Sequence, residues 1–261
     1  MRLISRRAFL ATACGGVGVA LAACKGSVSP VDDGAAARIT AMPGMPTFDA
    51  PVGFLTLGIG NQFTGRNGRI YVPASHRHDT PAPLLVLLHG AGQKSTIWQT
   101  PKLQELADGI GAVVLAPDSR YFTWNLVDAG DYAEDVPFIN LAMQWTFERC
   151  RIDPGKMAIG GFSDGAGEAL SLGLANGDVF DAVIGFSPGF VDDRYWRGNP
   201  RVFISHGDDD PILPFVNVRD TIVPFIRQRG RTVEWAPFDG GHSIPDETGD
   251  QAFAWLSNWA P

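Results

Sequence analysis

The chain has 261 residues, 45% of them hydrophobic and 19% charged, with 28 acidic against 21 basic side chains. That length holds one large domain with a sizeable core, and a net charge of −7 excludes nucleic acid and anionic membrane surfaces as electrostatic partners. The three cysteines, Cys14, Cys24 and Cys150, make no metal-binding or disulfide spacing, and there is no HExxH or His-rich cluster. Neither a metal nor any other cofactor is expected.

The N-terminus reads as an export signal. Ser5-Arg6-Arg7-Ala8-Phe9-Leu10 is followed by an uncharged run from Ala8 to Ala23, rich in Ala, Gly and Val. A basic start and a short apolar core mark a secretory leader, and the paired arginines look like a twin-arginine signal. Leu21-Ala22-Ala23-Cys24 has the form of a bacterial lipobox. The expectation is a leader over residues 1–23, lipidation of Cys24, and an exported periplasmic or cell-surface lipoprotein whose only membrane attachment is that anchor. Ordinary cleavage near Ala23 and a retained Ala8–Ala23 anchor are the alternatives. The second is short for a spanning helix. Cys24→Ser is expected to release the protein into the soluble fraction. Persistence on the membrane would identify an uncleaved anchor, and a wholly soluble wild type an ordinary cleavage region. Loss of Arg2, Arg6 and Arg7 with the leader would take the net charge from −7 to −10.

Residues 24–50 are rich in Gly, Ala, Ser and Pro and predict a flexible linker, with a catalytic domain over 51–261. In that domain apolar runs predict strands near 53–57, 69–72, 84–88, 112–116, 157–162, 182–186, 201–205 and 232–236. Helical spacing predicts helices near 97–108, 132–149, 164–175, 216–229 and 248–259, with Asp131 as an N-cap of the second. The alternation predicts an α/β fold, a mostly parallel eight-stranded sheet with helices on both faces. The first two strands should form an antiparallel edge. About a dozen residues join Ser187 to Arg201, too few for a cap domain, so the cleft should be open. Cys150, at the end of a helical stretch, reads as a packing residue.

Gly161-Phe162-Ser163-Asp164-Gly165 stands between an apolar strand and a helix. A strand-to-helix turn of this kind forces its serine into strained backbone angles, and flanking glycines remove the collisions that result. Ser163 then lies at a helix N-terminus, where unpaired N–H groups favour a developing negative charge. A serine needs a base. Downstream there are His206 and His242. His242 follows Gly240-Gly241 in a loop and is the candidate base, whereas His206 ends a strand and reads as structural. The acid should lie between, in Asp208-Asp209-Asp210. Asp210, held by Pro211, is the first candidate and Asp208 the second. Leu84–Leu88 is a buried-strand run ending in His89-Gly90-Ala91-Gly92. The N–H groups of Ala91 and Asp164 are the candidate oxyanion donors, with His89 bracing the loop. Gly90 and Trp124, and also Trp98 and Phe190, are candidate pocket residues.

Taken with Ala116-Pro117-Asp118, Phe186-Ser187-Pro188-Gly189-Phe190 and Ser205-His206-Gly207, these motifs occur in order over roughly residues 68–259. The chain resembles the α/β-hydrolase superfamily. Within it, it looks like the small lidless carboxylesterases, of the phospholipase/carboxylesterase or polyhydroxybutyrate-depolymerase type. The resemblance implies Ser163, Asp210 and His242 as a triad, Ala91 and Asp164 as oxyanion donors, and no cofactor. It implies hydrolysis of small or short-acyl carboxylic esters, free or at polymer ends, through an acyl-enzyme. A serine peptidase of the same fold and a catalytically silent surface-binding protein are the competing readings.

Overall fold

In a computed structural model, residues 34–60 and 64–259 are described. The leader and Cys24 lie outside the described residues. Eight strands form one sheet in the order β1-β2-β4-β3-β5-β6-β7-β8. They are β1 (Gly53–Thr56), β2 (Gly68–Val72), β3 (Ala82–Leu88), β4 (Val113–Pro117), β5 (Ile152–Phe162), β6 (Ala182–Phe186), β7 (Arg201–Gly207) and β8 (Val233–Phe238). The pairs β1/β2 and β2/β4 are antiparallel and every other pair is parallel. The expected antiparallel edge is therefore present.

The central strands are apolar at nearly every position because both faces are covered. Along β3, Leu84, Val86 and Leu88 point to one core, and Leu85 and Leu87 to the other. The first core is roofed by α3 (Asp135–Phe147) and α4 (Asp164–Ala175), and by the helical stretch after β7. The second is roofed by α1 (Pro101–Ile110) and α7 (Asp246–Ser257). Each fully buried leucine or valine here contributes about 1.5–3 kcal/mol. Cys150 is fully buried, as a packing residue should be. Among the described residues no helix is long and apolar enough to cross a membrane.

Three local expectations are corrected. First, Asp131 does not cap α3. Its carboxylate takes the Ala133 N–H at 3.0 Å, closing a turn ahead of the helix. The start of α3 is held by Asn125, in the one-turn helix α2 (Asn125–Asp128), whose Oδ1 accepts from Glu134 N at 3.2 Å and Asp135 N at 2.9 Å. Second, the helix expected over 216–229 is composite. A turn of α5 (Phe215–Asn217) runs into a π-helical segment, Val218–Ile222, and then α6 (Val223–Gln228). Pro224 has no N–H to give to the preceding turn, which disfavours continuous α-helix there.

The third correction concerns the linker. Residues 34–50 do not leave the domain surface as their composition suggests. Ala37, Ile39 and Ala41 are buried in the core. Two asparagines hold this strap. Asn176 accepts from Ile39 N at 2.9 Å and donates to Ala37 O at 2.7 Å. Asn140 accepts from Thr40 N at 2.7 Å and Ala41 N at 3.0 Å. Arg38 adds a two-pronged pair with Asp178. Small residues without a periodic pattern can still line a groove when side chains from elsewhere satisfy their backbone.

Candidate active site

The turn between β5 and α4 holds Ser163 at φ 58° and ψ −121°. Such a conformation costs a non-glycine residue on the order of 1–3 kcal/mol. Its neighbours make the turn possible. A Cβ on Gly161 would strike the Gly165 carbonyl, and one on Gly165 the carbonyls of Leu88 and His89. Ser163 N–H donates to Phe186 O at 2.9 Å, which ties the elbow to β6.

The loop after β8 carries His242 back to this turn. Its Nε2 lies 2.8 Å from Ser163 Oγ, and its Nδ1 lies 2.6 Å from Asp210 Oδ2. The hydroxyl can donate to Nε2 while Nδ1–H donates to the carboxylate. Three residues from the C-terminal ends of β5, β7 and β8 thus form one hydrogen-bonded chain, as the sequence motifs predict. Asp210 Oδ1 accepts the N–H groups of Ile212 at 2.8 Å and Leu213 at 2.9 Å. Burial opposes ionisation of Asp210. The donated bonds from Leu213, His242 and Ile212 outweigh it and hold the carboxyl below its usual range. The Phe162 ring lies 4.8 Å from the His242 ring and packs one side of it.

The second-choice acid lies elsewhere in the same turn. Asp208 is exposed and its Oδ1 takes the Gly240 N–H at 3.1 Å. With Asp209 and Asp239 it forms an acidic group, all ligand atoms within 4.8 Å, that could gather round a cation. All three are exposed, as in an ordinary solvated turn.

The loop after β3 approaches Ser163 from the other side. A Cβ on Gly90 would come within 3.3 Å of Ser163 Cβ, so Gly90 lies beside Ser163. The loop closes on itself through Gly90 N–H to Gln93 Oε1 at 3.0 Å and Gln93 N–H to Gly90 O at 3.2 Å. Gly92, at φ 72°, gives its N–H to Phe122 O at 2.8 Å. Among the described residues, neither Ala91 N–H nor Asp164 N–H has a protein acceptor. Both remain available to a negative oxygen beside Ser163.

Segment 118–125 braces this arrangement, and apart from the Ala116-Pro117-Asp118 motif and Trp124 no sequence signal pointed to its residues. Thr123 Oγ1 donates to Asp164 Oδ2 at 2.9 Å, and Ser119 N–H donates to His89 Nε2 at 3.0 Å. His89 Nδ1–H bonds Gly90 O at 2.8 Å. Burial pushes the His89 imidazole down to about 4, so it stays neutral in its bracing role. Trp124 is a correction. It is 0% exposed and its indole N–H donates to His89 O at 2.7 Å. It holds the loop after β3 through that bond and, being fully buried, lines no open cleft. Trp98 likewise sits in the core on the α1/α7 face. Phe190 does lie near the elbow, with its ring directly over Gly167, where any Cβ would collide with it. Gly167 is one turn beyond Ser163 on α4 and donates to Ser163 O at 3.2 Å.

Residues 135–260 match the family described as Phospholipase/Carboxylesterase. A search of the curated proteins returns no match. Among solved structures, esterase PE8 shares 24% identity at a TM-score of 0.60, covering 74% of this chain and 98% of that one. The Bacillus cereus carboxylesterase shares 21% at a TM-score of 0.57, covering 75% and 95%. FphF, a fluorophosphonate-binding serine hydrolase of Staphylococcus aureus, shares 15% at a TM-score of 0.62, covering 80% and 100%. At these identities the structural likeness is one of fold, and it agrees with the eight-stranded, mostly parallel sheet. The chain has the fold of the α/β-hydrolases, and residues 135–260, a little under half of it, are similar to the Phospholipase/Carboxylesterase family.

Proposed function

We propose that this chain is a serine carboxylesterase acting on small or short-acyl esters. The observation that carries the reading is the unbroken chain from Ser163 through His242 to Asp210, at 2.8 Å and 2.6 Å, beside two unpaired N–H groups. Ser163 Oγ attacks the ester carbonyl carbon and its proton passes to His242 Nε2. The oxyanion is met by the N–H groups of Ala91 and Asp164. Collapse breaks the ester C–O bond, and His242 returns the proton to the departing alcohol. Water, deprotonated by the same imidazole, then hydrolyses the acyl-enzyme. The family match, the esterase neighbours and the fluorophosphonate-binding neighbour support this reading.

Among the described residues no cap covers the site, and this shapes the substrate. Residues 187–200 join β6 to β7 without a helix or strand of their own. An open cleft favours soluble esters or the ends of polymers over the interior of a lipid phase. Hydrolysis of p-nitrophenyl esters from C2 to C12 tests both parts of the proposal. Rates are expected to peak at about C2–C6, with no jump as a substrate passes its solubility limit. Interfacial activation with a C12 preference would show that a segment moves as a lid. No hydrolysis across the series, together with no labelling by a fluorophosphonate, would sink the esterase reading.

A further inference from the structure

We propose that Phe122 is a specificity-determining residue, an apolar wall on the oxyanion side of the open site that selects esters whose acyl group extends beyond acetyl. The inference rests on the serine carboxylesterase reading and names the part of the ester that the site discriminates. Phe122 stands in the loop after β4 and is 71% exposed. A lone exposed aromatic is ordinary on a protein surface. This one is set apart by how firmly its loop is held and by what holds it.

Three successive residues are fastened. Tyr121 O accepts from Ser119 Oγ at 2.8 Å, Phe122 O accepts from Gly92 N at 2.8 Å, and Thr123 Oγ1 donates to Asp164 Oδ2 at 2.9 Å. Two of these bonds reach residues beside the reacting groups, since Gly92 follows Ala91 and Asp164 follows Ser163. The Phe122 ring leans over Gly92, where a Cβ would meet its Cζ at 2.9 Å and its Cε2 at 3.0 Å. Gly92 is bare for two reasons, its φ of 72° and the ring above it. Two residues back in the same loop, a Cβ on Gly90 would meet Ser163 Cβ at 3.3 Å. The ring and the nucleophile thus stand at the two ends of a stretch of chain that spans at most about 7 Å.

The order of strands assigns the part of the ester that reaches the ring. Along the C-terminal edge of the sheet, β4 and β3 lie to one side of β5, and β7 and β8 to the other. Ala91 and Phe122 come from the β3/β4 side, Asp210 and His242 from the β7/β8 side. His242 must protonate the departing oxygen, so the alcohol lies toward His242. The acyl substituent points away from that oxygen and passes on the β3/β4 side, along the exposed ring. Each methylene laid against the ring leaves water on that face. The loop is already held, so little further ordering opposes the contact.

The test sets Phe122→Ala and Phe122→Leu beside the wild type on two series. The p-nitrophenyl esters of acetate, butyrate and hexanoate vary the acyl group, and ethyl, butyl and hexyl acetates vary the alcohol. Each is read as kcat/KM. In Phe122→Ala the loss is expected to grow with acyl length, the butyrate-to-acetate ratio falling by about 4- to 10-fold, while the butyl-to-ethyl ratio among the acetates stays within about 2-fold. Phe122→Leu keeps an apolar wall and is expected to hold the acyl ratio within about 3-fold of wild type. Both variants should fold, since the side chain is exposed and the Gly92 bond is made by the Phe122 backbone; the thermal midpoint checks this. An unmoved acyl ratio, or a shift in the alcohol series instead, would overturn the proposal. An equal loss on every ester would overturn it too and leave the ring a brace for the loop after β3. These outcomes require an active wild type. A wild type that neither turns over any ester nor labels with a fluorophosphonate would remove the esterase reading itself, and the role of Phe122 with it.

Discussion

Ser163→Ala is expected to lower ester hydrolysis by about 10⁶-fold in kcat, the loss typical of a deleted triad nucleophile. The fold should survive. The hydroxyl's hydrogen bond is the one to His242, and the bonds that hold the elbow are made by the Ser163 backbone, from its N–H to Phe186 O and from its carbonyl to Ala166 and Gly167. Alanine meets the same backbone strain as serine at φ 58°. The Ala91 and Asp164 donors also remain, since they are main-chain groups. A residual rate of about 10³–10⁴ over uncatalysed hydrolysis can therefore persist through oxyanion stabilisation alone. The check is kcat on a short ester beside the thermal midpoint of both proteins. Retention of more than about 1% of activity, far above that residue, would place the nucleophile elsewhere.

The elbow was legible because its determinants are local. Five consecutive residues, a strand before and a helix after contain the whole steric argument, and the observed α4, Asp164–Ala175, begins where the motif places it. Chain order then left two histidines, and the loop after β7 offered three aspartates, of which Asp210 alone has its carboxylate turned in toward His242. What the sequence hid depends on long-range contacts. Asn140 and Asn176 reach back about a hundred residues or more to hold the strap at 37–41, and nothing in the strap's composition points to them. Trp124 follows a strand end on the catalytic side, which suggested a cleft wall. Its direction was decided by a carbonyl needing a donor, His89 O, on a different loop. Thr123 and Asp164 are likewise joined across 41 positions.

Asp210→Asn is expected to reduce kcat by about 10⁴-fold while Asp208→Asn and Asp209→Asn remain within a few-fold of wild type. The argument is one of proton positions. An amide offers one oxygen, whereas Asp210 uses two. If the Asn oxygen keeps the Ile212 and Leu213 N–H groups, its NH₂ faces His242 Nδ1. The imidazole must then carry its proton on Nε2, where it cannot accept from Ser163. If the amide flips, the NH₂ opposes two backbone donors and the turn loosens. The variant also carries a pH signature. Because Asp210 is held below its usual range in the folded chain, its contribution to stability is fully present above the unfolded value of about 3.9 and is lost as pH falls through the lower folded value. The stability gap between wild type and Asp210→Asn should therefore narrow as pH drops from about 5 toward 2, as measured by denaturant unfolding at a series of pH values. A severe Asp208→Asn beside an active Asp210→Asn would move the acid two residues back and require the 2.6 Å contact to His242 to be remade in solution.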